Sequence, residues 1–149
     1  MHRYTVDQQN KLVVVTFEGV LGDTDAIQYL TDMLTNTEYG AGWRTLIDMT
    51  RITGITTTYE GVRRLVAHSQ AVIDRLRGAR AAVLAHEGSA IYGMARMYQI
   101  MNEAAPYEVM VFDEKVLPDP KEPLFGAKNE FLRDLVAFQV RHGKTVRWF

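Results

Sequence analysis

Three threonines, Thr56, Thr57 and Thr58, stand directly before Tyr59-Glu60-Gly61. Thr57 and Glu60 have the spacing of a capping box, a helix start. Free backbone N–H groups and the helix dipole at such a start also favour an anion, either a bound phosphate or a phosphorylated side chain. The three hydroxyls are therefore a candidate phospho-switch or anion site. A second candidate set is Asp48, ending Leu46-Ile47-Asp48, with His86, Ser89, Tyr92 and Arg96 further along the chain. A carboxylate, an imidazole and a guanidinium in one crevice could move a proton and hold an acid. No pair among them has diagnostic spacing, so an enzyme using Asp48, His86 and Arg96 ranks last, and a ligand crevice ranks above it.

The remaining catalytic signatures fail on inspection. Gly143-Lys144-Thr145 looks like the end of a phosphate-binding loop, but Phe138 stands where that motif needs glycine. Gly88-Ser89 lacks the flanking glycines of a nucleophile elbow, since Glu87 and Ile91 take their places. His2, His68, His86 and His142 include no pair at helical metal-ligand spacing. With no cysteine, thiolate metal sites, thiol nucleophiles and disulfides are excluded. Neither a metal nor a cofactor is expected.

Composition narrows the class further. The chain has 149 residues, 47% of them hydrophobic, which suits one domain with one core. The formal charge of −1 argues against nucleic-acid binding by bulk electrostatics. No apolar run is long enough to span a bilayer, and Met1-His2-Arg3-Tyr4 does not begin a signal peptide, so a cytoplasmic domain is expected. The charge is uneven along the chain. Residues 1–50 have three basic and seven acidic side chains, residues 51–100 have seven and three, and residues 101–149 have seven and eight. The basic middle third (Arg51, Arg63, Arg64, Arg75, Arg77, Arg80 and Arg96) reads either as solvated helix faces or as a surface for an acidic partner.

The elements that must position these residues follow from periodicity. Tyr4–Asp7 and the β-branched run Leu12–Phe17 read as a hairpin, ended by Gly19 and Gly22. A helix follows, capped by Asp23 or Thr24, with Ala26, Ile27, Leu30, Met33 and Leu34 at helical spacing. Arg44–Met49 is the third strand and Thr50–Thr58 a loop. A long helix then runs from Tyr59 to Leu76, with Ser69 inside its apolar stripe. Arg80–Ala85 is the fourth strand. Ser89 can cap a helix running to about Glu103 with Ile91, Met94, Ala95, Tyr98, Met101 and Asn102 near its inner face, and Tyr107–Phe112 is the fifth strand. Gly93 costs this helix about 1 kcal/mol relative to Ala, which implies close packing or ligand approach there. Pro118, Pro120 and Pro123 mark a loop, and Phe131, Leu132, Leu135 and Val136 begin a last amphipathic helix. The order β-β-α-β-α-β-α-β-α implies an α/β layered domain. Its five-stranded mixed sheet is largely parallel, with an antiparallel hairpin at the start.

This order, together with Thr45-Leu46-Ile47-Asp48-Met49-Thr50-Arg51-Ile52 and the threonine loop, resembles a STAS domain. The likeness is closer to the SpoIIAA-like branch, described as kin to CRAL-TRIO lipid-binding domains. It rests also on Tyr92-Gly93-Met94-Ala95-Arg96-Met97 and on Tyr107-Glu108-Val109-Met110-Val111-Phe112-Asp113, and it covers about Leu12 to Asp113. The resemblance implies one STAS-like domain over 1–149, with an extended C-terminal segment over 114–149. In bacterial antagonists of this fold an Asp-Ser-Ser-Gly motif carries the serine that a partner kinase phosphorylates. Thr56-Thr57-Thr58-Tyr59 takes its place here, so the resemblance puts Thr57 at the phosphorylated position.

Two working functions emerge beside the enzyme. One is a non-enzymatic STAS-like regulatory or protein-interaction module with a protein partner. The other is a carrier of a small apolar or lipid-like ligand, suggested by the implied CRAL-TRIO kinship and by Met94, Met97, Met101 and Met110, which suit adaptable pockets. An anionic ligand would suit the threonine site. The fifth strand and Arg147-Trp148-Phe149 would suit a homodimer contact.

Overall fold

The computed structural model describes residues 2–9, 11–86 and 88–113. The expected helix in 131–140, the proline loop, Glu87, His142 and the whole segment 114–149 lie outside these residues. The elements are β1 (His2–Asp7), β2 (Leu12–Leu21), α1 (Asp25–Asn36), β3 (Arg44–Ile55), α2 (Tyr59–Ala71), α3 (Ile73–Leu76), β4 (Arg80–Ala85), α4 (Ala90–Met101) and β5 (Glu108–Asp113).

The strands form one mixed sheet in the order β1-β2-β3-β4-β5. β1 is antiparallel to β2, and every later pairing is parallel. Parallel neighbours in sequence order need crossovers, and right-handed crossovers place their helices on one face. Side chains accordingly divide by parity. Val13, Val15, Phe17, Val83, Val109 and Val111 join helix residues in the main core. Leu12, Val14, Leu46 and Ala82 make a smaller cluster without helix residues.

Three boundaries differ from the sequence expectation by more than two residues. β2 does not stop at Gly19. That residue takes φ 77° at a register irregularity, and the bent strand continues to Leu21. This gives the second half of β3 a partner. Arg51 to Ile55, expected in a loop, pair with Glu18 to Leu21. The helix from Tyr59 to Leu76 is two helices, broken at Val72, whose φ of −115° and ψ of 22° leave the helical region.

The helix starts also shift. Thr58, one residue past the expected Thr57, is the N-cap of α2 and accepts from the Gly61 N–H at 3.0 Å. The α1 N-cap, Thr24, makes no side-chain cap bond. Asp25 accepts the Gly22 N–H instead, and Asp23 reaches across to α2. Ser89 caps α4 as expected, accepting from the Tyr92 N–H at 3.1 Å.

Candidate functional site

Between the helical face of the sheet and α1, α2 and α4 lies a cavity of about 130 Å³. Its floor includes Phe17, Ile47 and Val83, and its walls include Leu30, Val62 and Ile91. The lining is overwhelmingly apolar, because the inward parity of the sheet and the inward stripes of the helices converge there. An apolar cavity of about 150 Å³ stays dry and binds benzene, so this size admits a one-ring guest.

Two hydroxyl groupings interrupt the apolar wall. In one, the Thr45 hydroxyl, beside the Tyr29 phenol, donates to the Tyr39 hydroxyl at 3.0 Å. In the other, Ser69 on α2 donates to the Leu65 carbonyl at 3.0 Å and lies 2.9 Å from the Tyr98 hydroxyl on α4. The Tyr98 hydroxyl is 2.9 Å from that of Tyr107, which donates to Asn102 Oδ1. Asn102 is fixed in turn, since its Nδ2 donates to the Tyr98 carbonyl at 2.8 Å. Burial pushes the phenols of Tyr29 and Tyr98 well above the ordinary tyrosine value and that of Tyr39 up. These groups stay neutral at physiological pH, and the same low-dielectric environment disfavours a charged guest.

One end of the cavity is bordered by Gly22, Asp23 and Ala26 on one side and by Thr57, Gly61 and Val62 on the other. Asp23 ties these sides together. Its Oδ1 accepts the Thr58 N–H at 2.6 Å, and its Oδ2 accepts the Thr58 hydroxyl at 2.9 Å. Arg64 lies 3.4 Å from the same oxygen. Donation from the Thr58 backbone, then from its hydroxyl, holds the Asp23 carboxyl below its usual range, with Arg64 assisting. A Cβ on Gly61 would lie 2.0 Å from Asp23 Oδ1, so only glycine allows this seat. The α2 N-terminus therefore already receives a carboxylate from its own chain.

The sequence candidates are placed as follows. Thr57 borders the cavity and donates to the Leu21 carbonyl at 3.1 Å, while the Thr56 hydroxyl is 3.5 Å from that carbonyl. Asp48 accepts the Thr50 N–H at 2.9 Å and the Thr50 hydroxyl, ordering its own strand. Ser89 donates to the His86 carbonyl at 2.6 Å. Arg96 is exposed on α4 and donates to Gln99 Oε1 at 3.0 Å. None of Asp48, His86, Ser89, Tyr92 and Arg96 lines the cavity. Gly93 does not mark close packing, since a Cβ there would meet nothing within 4 Å.

The basic middle third is also accounted for. Arg51, Arg63, Arg64, Arg77 and Arg80 are within 4.0 Å of Glu18, Glu60, Asp23, Asp74 and Glu108 respectively. Arg75 donates to the carbonyls of Leu34 and Tyr39. Among the described residues no cluster of three or more His, Asp or Glu side chains could hold a metal. No helix among them is long and apolar enough to cross a membrane.

Sequence reasoning missed Asp23 and the Ser69–Tyr98–Tyr107 grouping as site residues. A signal existed for the second: a serine inside the apolar stripe of one helix and a tyrosine on the inner face of the next. Asp23 gave none, because its partner Thr58 is 35 residues away and its own neighbourhood reads as an α1 cap.

No family model matches this chain, and no curated protein matches it. Among solved structures, it is similar to an uncharacterized protein of the DUF3478 family with a SpoIIAA-like fold from Shewanella loihica PV-4. Identity is 17% and the TM-score 0.47, over 91% of this chain and 92% of that one. CRAL-TRIO kinship is not shown by these comparisons. Among the described residues, the strand pairings themselves establish an α/β domain built on a five-stranded mixed sheet, with helices α1 to α4.

Proposed function

We propose that this protein is a non-enzymatic STAS-like module that works by binding, and that it takes a small neutral apolar ligand into the cavity between the sheet and α1, α2 and α4. The observation that carries this reading is the cavity itself: about 130 Å³ of space walled by core side chains, with Ser69, Tyr98 and Tyr107 on its lining. Its volume favours a compact molecule over a long acyl chain. Native mass spectrometry after gentle purification tests the reading. A one-to-one small-molecule adduct supports it. An empty protein that also fails to take up benzene or toluene at millimolar concentration defeats it.

A second reading, a protein partner, is favoured by the arm made of Glu18–Leu21 and Arg51–Ile55. Among the described residues, the β1–β2 pairing stops at Phe17 and the β3–β4 pairing stops at Asp48, so no strand pairs with this arm on either side. Val20 on it is 56% exposed. Such edges accept an added strand. Proline at Thr53 removes a backbone donor from the arm. Partners captured by wild type and lost with Thr53→Pro support this reading, and identical capture by both opposes it.

A further inference from the structure

The face of the sheet opposite the helices is buried, yet among the described residues nothing lies over it. Leu12 and Val14 on β2, Leu46 on β3 and Ala82 on β4 form its apolar centre, and none of them is more than 4% exposed. They run across the sheet in register, Val14 beside Leu46 and Leu46 beside Ala82. No residue of α1 to α4 belongs to this cluster, and the apolar neighbour packed against it, Leu84, comes from β4 itself. Side chains stand perpendicular to a sheet, so strand neighbours alone do not take a leucine out of water. Parallel sheets, as β2 to β5 are, occur with both faces covered. The burial also has an edge. Thr5 on β1 is the register partner of Val14 and shares its face, yet Thr5 is exposed, as is Arg3. The cover therefore lies over β2, β3 and β4 and stops short of β1.

We propose that this face is a docking surface for the chain's own segment 131–140, seated on Leu12, Val14, Leu46 and Ala82. Phe131, Leu132, Leu135 and Phe138 fall at helical spacing on one apolar stripe, with Arg133 and Ala137 on the opposite side. The dimensions agree. Ten residues at helical rise measure about 15 Å, and three neighbouring strands span about 10 Å. The reach is ample, because residues 114–130 at up to about 3.3 Å each extend several times the roughly 15 Å from β5 back to β2. No other described surface suits such a stripe. The exposed large hydrophobics Val20, Tyr59 and Ile100 stand on β2, α2 and α4 and make no continuous face. A second copy of the chain is a poorer occupant, since its docking costs translational and rotational freedom that a tethered segment does not lose. While 131–140 sits there, the face is closed to other partners.

The chain has no cysteine, so a nitroxide can be attached at one chosen site. The test places it on the full chain through Ala137→Cys, opposite the stripe, and reads methyl carbon–proton spectra. The signals of Leu12, Val14, Leu46 and Leu84 should lose most of their intensity. Those of Leu30, Val62 and Ile91, on the helical side of the sheet, should keep most of theirs. Losses confined to the helical side, or losses on neither face, overturn the proposal. Mixing nitroxide-bearing chain with isotope-labelled chain that carries no nitroxide separates the second copy. Intact Leu12, Val14 and Leu46 signals in that mixture support the proposal, and lost ones overturn it in favour of a second copy. Should the labelled variant fail to fold, nuclear Overhauser contacts of wild type decide. Contacts from the Leu135 methyls to those of Val14 and Leu46 support the proposal, and their absence overturns it.

Discussion

Ala95 stands on the inner face of α4 and lines the cavity, and replacing it with leucine fills the space that a guest would use. An empty cavity of about 130 Å³ costs a fold about 3 kcal/mol at ~24 cal/mol per Å³. Leucine adds three carbons, worth about 2 kcal/mol when buried, and gives up about 0.5–1 kcal/mol of side-chain freedom. Leucine also suits a helix interior nearly as well as alanine. The net expectation is a gain of about 1–2 kcal/mol, or roughly 3–7 °C in Tm for a chain of this length. Urea unfolding should show a higher midpoint at an unchanged slope, since neither state alters its exposed surface much. In the same variant toluene should bind at least tenfold more weakly. A loss of stability of about 1–3 kcal/mol would mean that the carbons met packed neighbours, and it would refute the cavity. A gain in stability with toluene binding untouched would place the guest elsewhere.

Gly93→Ala should stabilise the protein by about 0.5–1 kcal/mol in chemical denaturation, because Gly93 is exposed mid-helix and its Cβ meets nothing. Asp23 is held below its ordinary value by Thr58 and then Arg64, so its contribution is complete above the usual carboxylate range and fades as pH falls through its lowered folded value. Asp23→Asn should therefore be less stable than wild type at pH 7, with the difference closing below about pH 4. A constant difference across a pH series of melts would contradict that. Tyr29, Tyr98 and Tyr39 are raised by burial, so the unfolded chain ionises first. Stability should be full below about pH 10 and fall above it. Absorbance near 295 nm should show these phenolates appearing together with loss of the far-ultraviolet dichroism, and ionisation of all tyrosines before unfolding would oppose it.

Much of the architecture was legible because its patterns are local. Leu12 to Phe17 is a β-branched run, Ser89 sits at a cap position, and Arg80–Ala85 is bounded by turn residues on both sides. The largely parallel pairing with an antiparallel hairpin at the start followed from the alternation of strand and helix. What stayed hidden depended on distant partners. Arg51 to Ile55 becomes strand because β2 bends at Gly19 and continues beside it. The break at Val72 has no proline or glycine to announce it. The site was less legible still. Residue type drew attention to Asp48, His86 and Arg96, but none of them lines the cavity: Asp48 orders its own strand and Arg96 is exposed on α4. The cavity is lined by residues that read individually as core, and a void is a property of their summed volumes and not of any motif. Thr57 was reached by spacing and does border the cavity, although the cap itself falls to Thr58.

The most direct measurement is a benzene titration followed by methyl-resolved carbon–proton correlation spectra of the full chain. Saturable shifts at one-to-one stoichiometry are expected for Leu30, Ile47, Val62, Val83 and Ile91, which line the cavity. The exposed Val20 and Ile100 should stay still. Shifts confined to Val20 and Ile100, or no saturable shift of the lining methyls, would contradict it.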